Sequence, residues 1–266
     1  MNHRRSILLL FAFATLFIAA GLGQEGSAPP MIRRVPDPRM QNSRQPAAKT
    51  VTAVVVKSWG PSPVWPDLTQ NWDKYGKVPL SVDDTSLIGG DFTYAQLIAS
   101  RADVIIISDA AGGNQQYSAT EFAAIAKYAA HGHTVLGTYA TLQSGQYDNR
   151  GLAPVFGLDP TIEYSTIKIS DQFDKVAHAC LLNRITGSSW QSAGYDYSQL
   201  PADSPWNQSL DHEQAIAQSD NYNGLVGLYQ GKTHTGIYIT NMPEYEVTGG
   251  VDEQLLYNAL TCYVKK

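Results

Sequence analysis

Two carboxylates stand where strand-like runs end. Asp109 closes the run from Val104 to Ser108, and Glu244 follows Gly236–Thr240. Carboxyls about 5 to 9.5 Å apart would suit glycoside hydrolysis; the sequence leaves that separation open. Asp109 also precedes Gly112 and Gly113, so it either meets a ligand hydroxyl or caps a turn. Trp59, Trp65, Trp72 and Tyr75 crowd the region after the first hydrophobic run. Flat rings beside Asp and Asn suit stacking on sugars, and equally suit packing a helix on a sheet. Tyr195, Tyr197, Trp206 and Tyr222 are a second set of this kind, fit for sugar or for a protein interface. Ser144 lies in Gln143-Ser144-Gly145, without the G-x-S-x-G context of a nucleophile elbow. His131 and His133 flank Gly132 and read as helix-capping residues. His178, His212 and His234 are isolated, and no His, Asp or Cys set has ligand spacing, so neither metal nor cofactor is expected.

Cys180 and Cys262 are the two cysteines. In an oxidising compartment they either pair or remain two buried thiols. The N-terminus favours such a compartment. Arg4 and Arg5 precede an apolar run from Ile7 to Ala20, and Gly21 and Gly23 supply small residues before Gln24. That is the pattern of a signal peptide over 1–23, too short to span a bilayer comfortably, and the expected location is secreted or periplasmic. Residues 24–49 carry Pro29, Pro30, Pro36, Pro38 and Pro46 among five basic side chains, and read as an extended linker. Residues 50–266 hold 12 Lys and Arg against 22 Asp and Glu, a net of −10. An acidic domain without a basic aromatic patch is a poor partner for nucleic acid. No later segment is apolar enough to span a membrane, so partners are sought among carbohydrates and proteins.

The elements that must position these residues alternate. Val51–Val56 is a β-branched run suited to a central parallel strand. A helix is expected over Asp67–Tyr75 with Asp67 as N-cap. Val78–Val82 reads as a short edge strand because Pro79 lies in it. Thr93–Ala99 reads as a short helix, Val104–Ile107 as a buried strand, and Thr134–Tyr139 as another. Between those strands, Ser118-Ala119-Thr120-Glu121 is a capping box, followed by a stripe of Phe122, Ile125, Ala126 and Ala129. Beyond Tyr139 the pattern loosens. Thr161–Ile169 alternates, 188–220 reads as a polar surface excursion, and Leu225–Tyr229 with Gly236–Thr240 flank a hairpin turn. Asp252–Val264 is a final amphipathic helix. This order implies a doubly wound, mostly parallel sheet with helices on both faces, closed by a hairpin plus helix.

In such sheets ligands bind beyond the carboxyl ends of the strands. Those ends carry Ser58-Trp59-Gly60, Ser108-Asp109, Tyr139-Ala140-Thr141 and Asn241-Met242-Pro243-Glu244. Ser58, Trp59, Asp109, Tyr139 and Glu244 are therefore the candidate ligand-binding set.

Several stretches resemble the class I glutamine amidotransferase superfamily. Ala102–Ser108 with its capped helix is one, and Tyr128–Gly137, a helix, a glycine turn and a strand, is another. Thr235–Glu244 is similar to the strand leading into the superfamily's His-Pro-Glu motif. Asp252–Val264 resembles the closing helix of the ThuA-like and β-galactosidase-trimerisation-like branches. The resemblance spans roughly residues 50–264 and implies a flavodoxin-like sheet. It also implies where an active site would be: a cysteine on the tight turn after the strand ending at Tyr139, with a histidine as base. Here that turn reads Gly137-Thr138-Tyr139-Ala140-Thr141, and the histidine position holds Met242, which cannot accept a proton at neutral pH. The resemblance thus implies a non-catalytic binding or assembly module; the leader pattern adds export, and the aromatic clusters add carbohydrate as a ligand class. The competing reading is a glycan hydrolase using the rim carboxylates.

Overall fold

The computed structural model describes residues 48–57, 62–87, 91–108, 116–168, 172–177, 179–192, 197–201, 213–218, 224–245 and 249–265. The leader, the linker up to residue 47, Ser58, Trp59, Asp109, Tyr195, Trp206, Tyr222, His178 and His212 lie outside the described residues.

Strands β1 (Val51–Val56), β2 (Leu80–Leu87), β3 (Val104–Ile107) and β4 (Thr134–Thr138) are joined through helices α1 (Val64–Tyr75), α2 (Tyr94–Ala99) and α3 (Ala119–Ala130). After β4 come two short strands, β5 (Gln143–Ser144) and β6 (Tyr147–Asp148), and a 3₁₀ segment over Arg150–Phe156. Next are β7 (Tyr164–Lys168), β8 (Gln172–Lys175), β9 (Ser189–Gln191), β10 (Tyr197–Pro201), β11 (Glu213–Gln218), β12 (Gly224–Gln230), β13 (Thr235–Ile239) and helix α4 (Val251–Thr261). The main sheet runs β2-β1-β3-β4-β13-β12-β11-β8-β9. Its first five strands pair in parallel and its remaining pairings are antiparallel. The parallel half has the order of a flavodoxin-like doubly wound sheet, with β13 as its fifth strand.

Every residue of β3 and β4 is buried, as the unbroken apolar run of β3 requires of a strand covered on both faces. α1 packs against α4, and α2 against α3. The capping box behaves as read, Ser118 and Glu121 forming the reciprocal cap of α3. Thr93 and Gln96 form a second one on α2, with Thr93 as the N-cap instead of a helical residue. Gly137 must be glycine where β4 passes beneath Phe156 and Tyr238, because a Cβ would approach their rings to 2.6 and 2.8 Å.

Three expectations need correction. α1 begins at Val64, not Asp67, because Pro63 enters the helix and the Ser62 hydroxyl accepts the Val64 N–H at 3.2 Å. Asp67 instead accepts from Asn71 within the helix at 2.7 Å. β2 is an edge strand as expected, yet it runs on to Leu87, because backbone pairing with β1 outweighs the poor strand propensity of Asp83 and Asp84. The segment 188–220 contains β9, β10 and β11, two of which extend the main sheet. Its polar composition hid them, since outer antiparallel strands need no apolar run. Gln199 in β10 is fully buried, its side-chain oxygen accepting from the backbone N–H of Leu142 and Gln143 and from the Tyr238 hydroxyl.

Cys180 and Cys262 are bonded to each other, with Cα atoms 5.8 Å apart. The bridge ties a 3₁₀ turn at Cys180–Leu182 to the end of α4, where Asn258 also donates to the carbonyls of Leu181 and Asn183. No helix among the described residues is long and apolar enough to cross a membrane. Because the bridge closes a loop of 82 residues, replacing both cysteines with serine is expected to lower unfolding free energy by about 4 kcal/mol. Denaturant titration of the two proteins checks this, and an unchanged midpoint would show that Asn258 and its partners suffice.

Candidate functional site

β4 ends in a bend. Tyr139 has φ 47°, a left-handed conformation that non-glycine residues rarely adopt. Such a residue stores roughly 1 kcal/mol or more of strain and persists only where its surroundings hold it. Here the Tyr139 N–H donates to the carbonyls of Ile239 and Asn241, at 2.9 and 3.0 Å. Its own carbonyl accepts the Tyr238 hydroxyl at 2.5 Å. The next turn is fastened by the Thr141 hydroxyl, which donates to the carbonyls of Thr138 and Ile107. The sharp turn expected at the end of β4 is therefore present, and it offers a half-buried phenol side chain.

Glu244 lies beneath this bend. It is fully buried, and one carboxyl oxygen accepts hydroxyls from Ser108, at the end of β3, and Thr138, at the end of β4, the latter at 2.5 Å. The backbone carbonyl of Glu244 accepts the Ser62 hydroxyl at 2.5 Å, the same hydroxyl that caps α1. One residue thus joins the ends of β3 and β4 and the start of α1. Burial pushes the Glu244 carboxyl above the ordinary glutamate range, with nearby Asp252 adding to it and the two hydroxyls opposing it. Its second oxygen has no hydrogen-bond partner among the described residues. A carboxyl held this way is a buried brace, not a group open to a substrate. Met242, at the position where the resemblance places a base, is also buried.

Lys57, just past β1, also has positive φ and is mostly buried. Its ammonium lies 2.7 Å from the Glu121 carboxylate, 3.5 Å from Asp91 and 5.2 Å from the centre of the Tyr117 ring. The same Glu121 oxygen accepts the Ser118 N–H of the capping box. The motif that starts α3 therefore also pins it to the end of β1. The capping box was legible in the sequence; its cationic partner, 64 residues away, carried no local signal.

Other candidates fall elsewhere. Trp65 is fully buried in the core, Trp72 packs against it, and the Tyr75 hydroxyl donates to Glu253 at 2.5 Å, so these three rings serve packing. Ser144 accepts the Gln146 N–H in a turn. His131 bonds the Lys127 carbonyl and His133 stacks on Tyr128, both at the start of β4 and away from the bend. His234 bonds the Val155 carbonyl. The bridged cysteines lie beside α4's last turn, also away from the bend. Among the described residues no three His, Cys, Asp or Glu side chains gather as a metal would need.

No protein-family model matches the chain. No curated protein matches it either. Solved structures do match in fold. A cytoplasmic protein from Salmonella typhimurium aligns with a TM-score of 0.53 at 10% identity, over 81% of this chain and 100% of that one. A protein from Parabacteroides merdae described as ThuA-like aligns with a TM-score of 0.51 at 10% identity, over 82% and 92%. A protein from Thermoplasma acidophilum described as part of a GMP synthase aligns at 0.47 and 15% identity, over 80% and 93%. The chain shares its fold with the ThuA-like structure.

Two outcomes follow from the braces. Because the Glu244 carboxyl is raised when folded, its contribution to stability is present below about pH 4.5 and declines as pH rises towards the folded value. Glu244→Gln should therefore raise Tm at pH 7 and flatten the pH dependence above 4.5, measured by thermal melts across pH; a lower Tm at pH 7 would contradict it. Lys57→Met should cost about 3 kcal/mol by stranding Glu121, and Lys57→Met/Glu121→Gln should recover most of that in denaturant titrations.

Proposed function

We propose that this domain is an exported binding or assembly module that keeps the amidotransferase-like frame without its chemistry, with carbohydrate as the first ligand class to test. The observation that carries the reading is Tyr139. The strained bend at the end of β4, where the resemblance implies a nucleophile, holds a phenol. A phenol ordinarily titrates near pH 10, so it is a poor nucleophile at neutral pH. It is well suited to stack on a ligand and hydrogen bond to it. The acid that the resemblance implies would orient a base instead takes the hydroxyls of Ser108 and Thr138. The glycan-hydrolase reading gains nothing from Glu244, which is enclosed.

The binding rim we propose consists of Tyr139 with Ser58 and Trp59, which follow Lys57 at the end of β1, and Asp109, which follows Ser108 at the end of β3. Glu244 contributes from below by holding β3 and β4 in place. Export is supported by the leader-like sequence over 1–23 and by the Cys180–Cys262 bridge, which an oxidising compartment favours.

A glycan array followed by calorimetry on the full chain tests the reading. Binding should weaken several-fold in Tyr139→Ala and in Trp59→Ala, as the loss of one stacking ring predicts. If neither substitution alters any binding found, the rim is misplaced. Ammonia release from glutamine above the protein-free rate would overturn the non-catalytic reading.

A further inference from the structure

The positive charge of this acidic domain is concentrated at one end. Lys74 stands in the last turn of α1 and Lys77 follows it; Arg101 lies between α2 and β3; Lys232 turns β12 into β13; Lys265 follows α4. All are exposed, and all lie where the parallel strands begin. Arg184 joins them, its guanidinium donating to the Lys74 carbonyl at 3.0 Å. Asp73, in the last turn of α1, and Asp103 also lie at this end, and Asp103 is paired with Lys49 at 2.8 Å. At the opposite end, Asp67, Glu121, Asp252 and Glu253 occupy first turns of helices. Helix dipoles account for cations in last turns such as Lys74. They do not account for Lys77, Arg184, Lys232 and Lys265, which lie outside the helices.

A cavity of about 290 Å³ opens at the same end, and of these cations Lys265 lines it. Its wall is formed by Val51, Val78 and Val264, with Lys49 and Lys265 beside them. The chain enters β1 here through Ala48 and Lys49, so the linker with Arg33, Arg34, Arg39 and Arg44 is covalently continuous with this end.

We infer that this end of the domain, opposite the Tyr139 bend, seats on an anionic lipid surface. A domain with net charge −10 over residues 50–266 is repelled by such a surface in most orientations and attracted in this one. Cations alone would fit any polyanion. Cations beside an apolar recess that Lys49 and Lys265 border fit a phospholipid, whose phosphate meets the ammonium groups while apolar parts meet the valines. Seated this way, the domain turns its proposed ligand rim away from the membrane. The inference does not depend on what that rim binds.

Vesicle flotation of the exported chain, residues 24–266, tests it. Vesicles containing phosphatidylglycerol should carry the protein, phosphatidylcholine vesicles should not, and raising the salt to screen the charges should release it. Lys77→Glu/Arg184→Glu/Lys265→Glu, three exposed positions, should weaken binding at least tenfold, on the order of the loss of several lysine or arginine contacts. Circular dichroism confirms that the variant is folded, and the salt dependence of the unaltered chain provides an independent readout. Arg33→Glu/Arg34→Glu should retain most of the binding. The inference is overturned by equal flotation with both vesicles, by full binding of the triple variant, by loss only in the linker variant, or by capture on polyglutamate without flotation.

Discussion

One buried carboxyl organises the end of the sheet where a site would form. Glu244 is fully enclosed, takes the hydroxyls of Ser108 and Thr138, and offers its carbonyl to Ser62. Burying an acid is unfavourable unless its oxygens are satisfied or its charge is removed. Both responses are visible: two hydroxyls on one oxygen, and a pKa pushed upward by burial. Because those hydroxyls come from the ends of β3 and β4, and Ser62 precedes α1 and accepts the Val64 N–H, two strand ends and one helix start meet around one residue.

The bend at Tyr139 is the counterpart of that brace. Its left-handed backbone is tolerable because Ile239, Asn241 and Tyr238 all bond to its peptide groups. Those partners belong to β13 and the residues just after it, which pair with β4 in parallel. Lys57 repeats the device one side over, at the end of β1, where a positive-φ lysine is held by Glu121. Two strained residues at the carboxyl ends of parallel strands suit a frame that presents side chains at precise positions, whether or not those side chains react.

Charge and covalent chemistry divide the molecule along the strand direction. Acids gather with helix N-termini near the bend, while cations and the Cys180–Cys262 bridge lie beside the opposite turns. An acidic sum over 50–266 conceals this separation, since composition records totals and a fold assigns them places.

How much of this was legible depended on the range of the interaction. The β-branched runs of β1 and β3, the Ser118–Glu121 cap and the β12–β13 turn are local patterns, and they became the elements they suggested. The bend after β4 was expected from the family resemblance, and Tyr139 with φ 47° forms it. The start of α1 was misread because Ser62, not Asp67, receives its first N–H. β9, β10 and β11 were missed because polar strands are stabilised by partners distant in sequence. The sequence by itself determined which residue types stand at each strand end, including Tyr139 after β4 and Met242 after β13. Only the tertiary structure decided that Glu244 faces inward, that Lys57 meets Glu121 and that the two cysteines meet each other, because burial and pairing across 64 to 136 residues are properties of packing and leave no local trace.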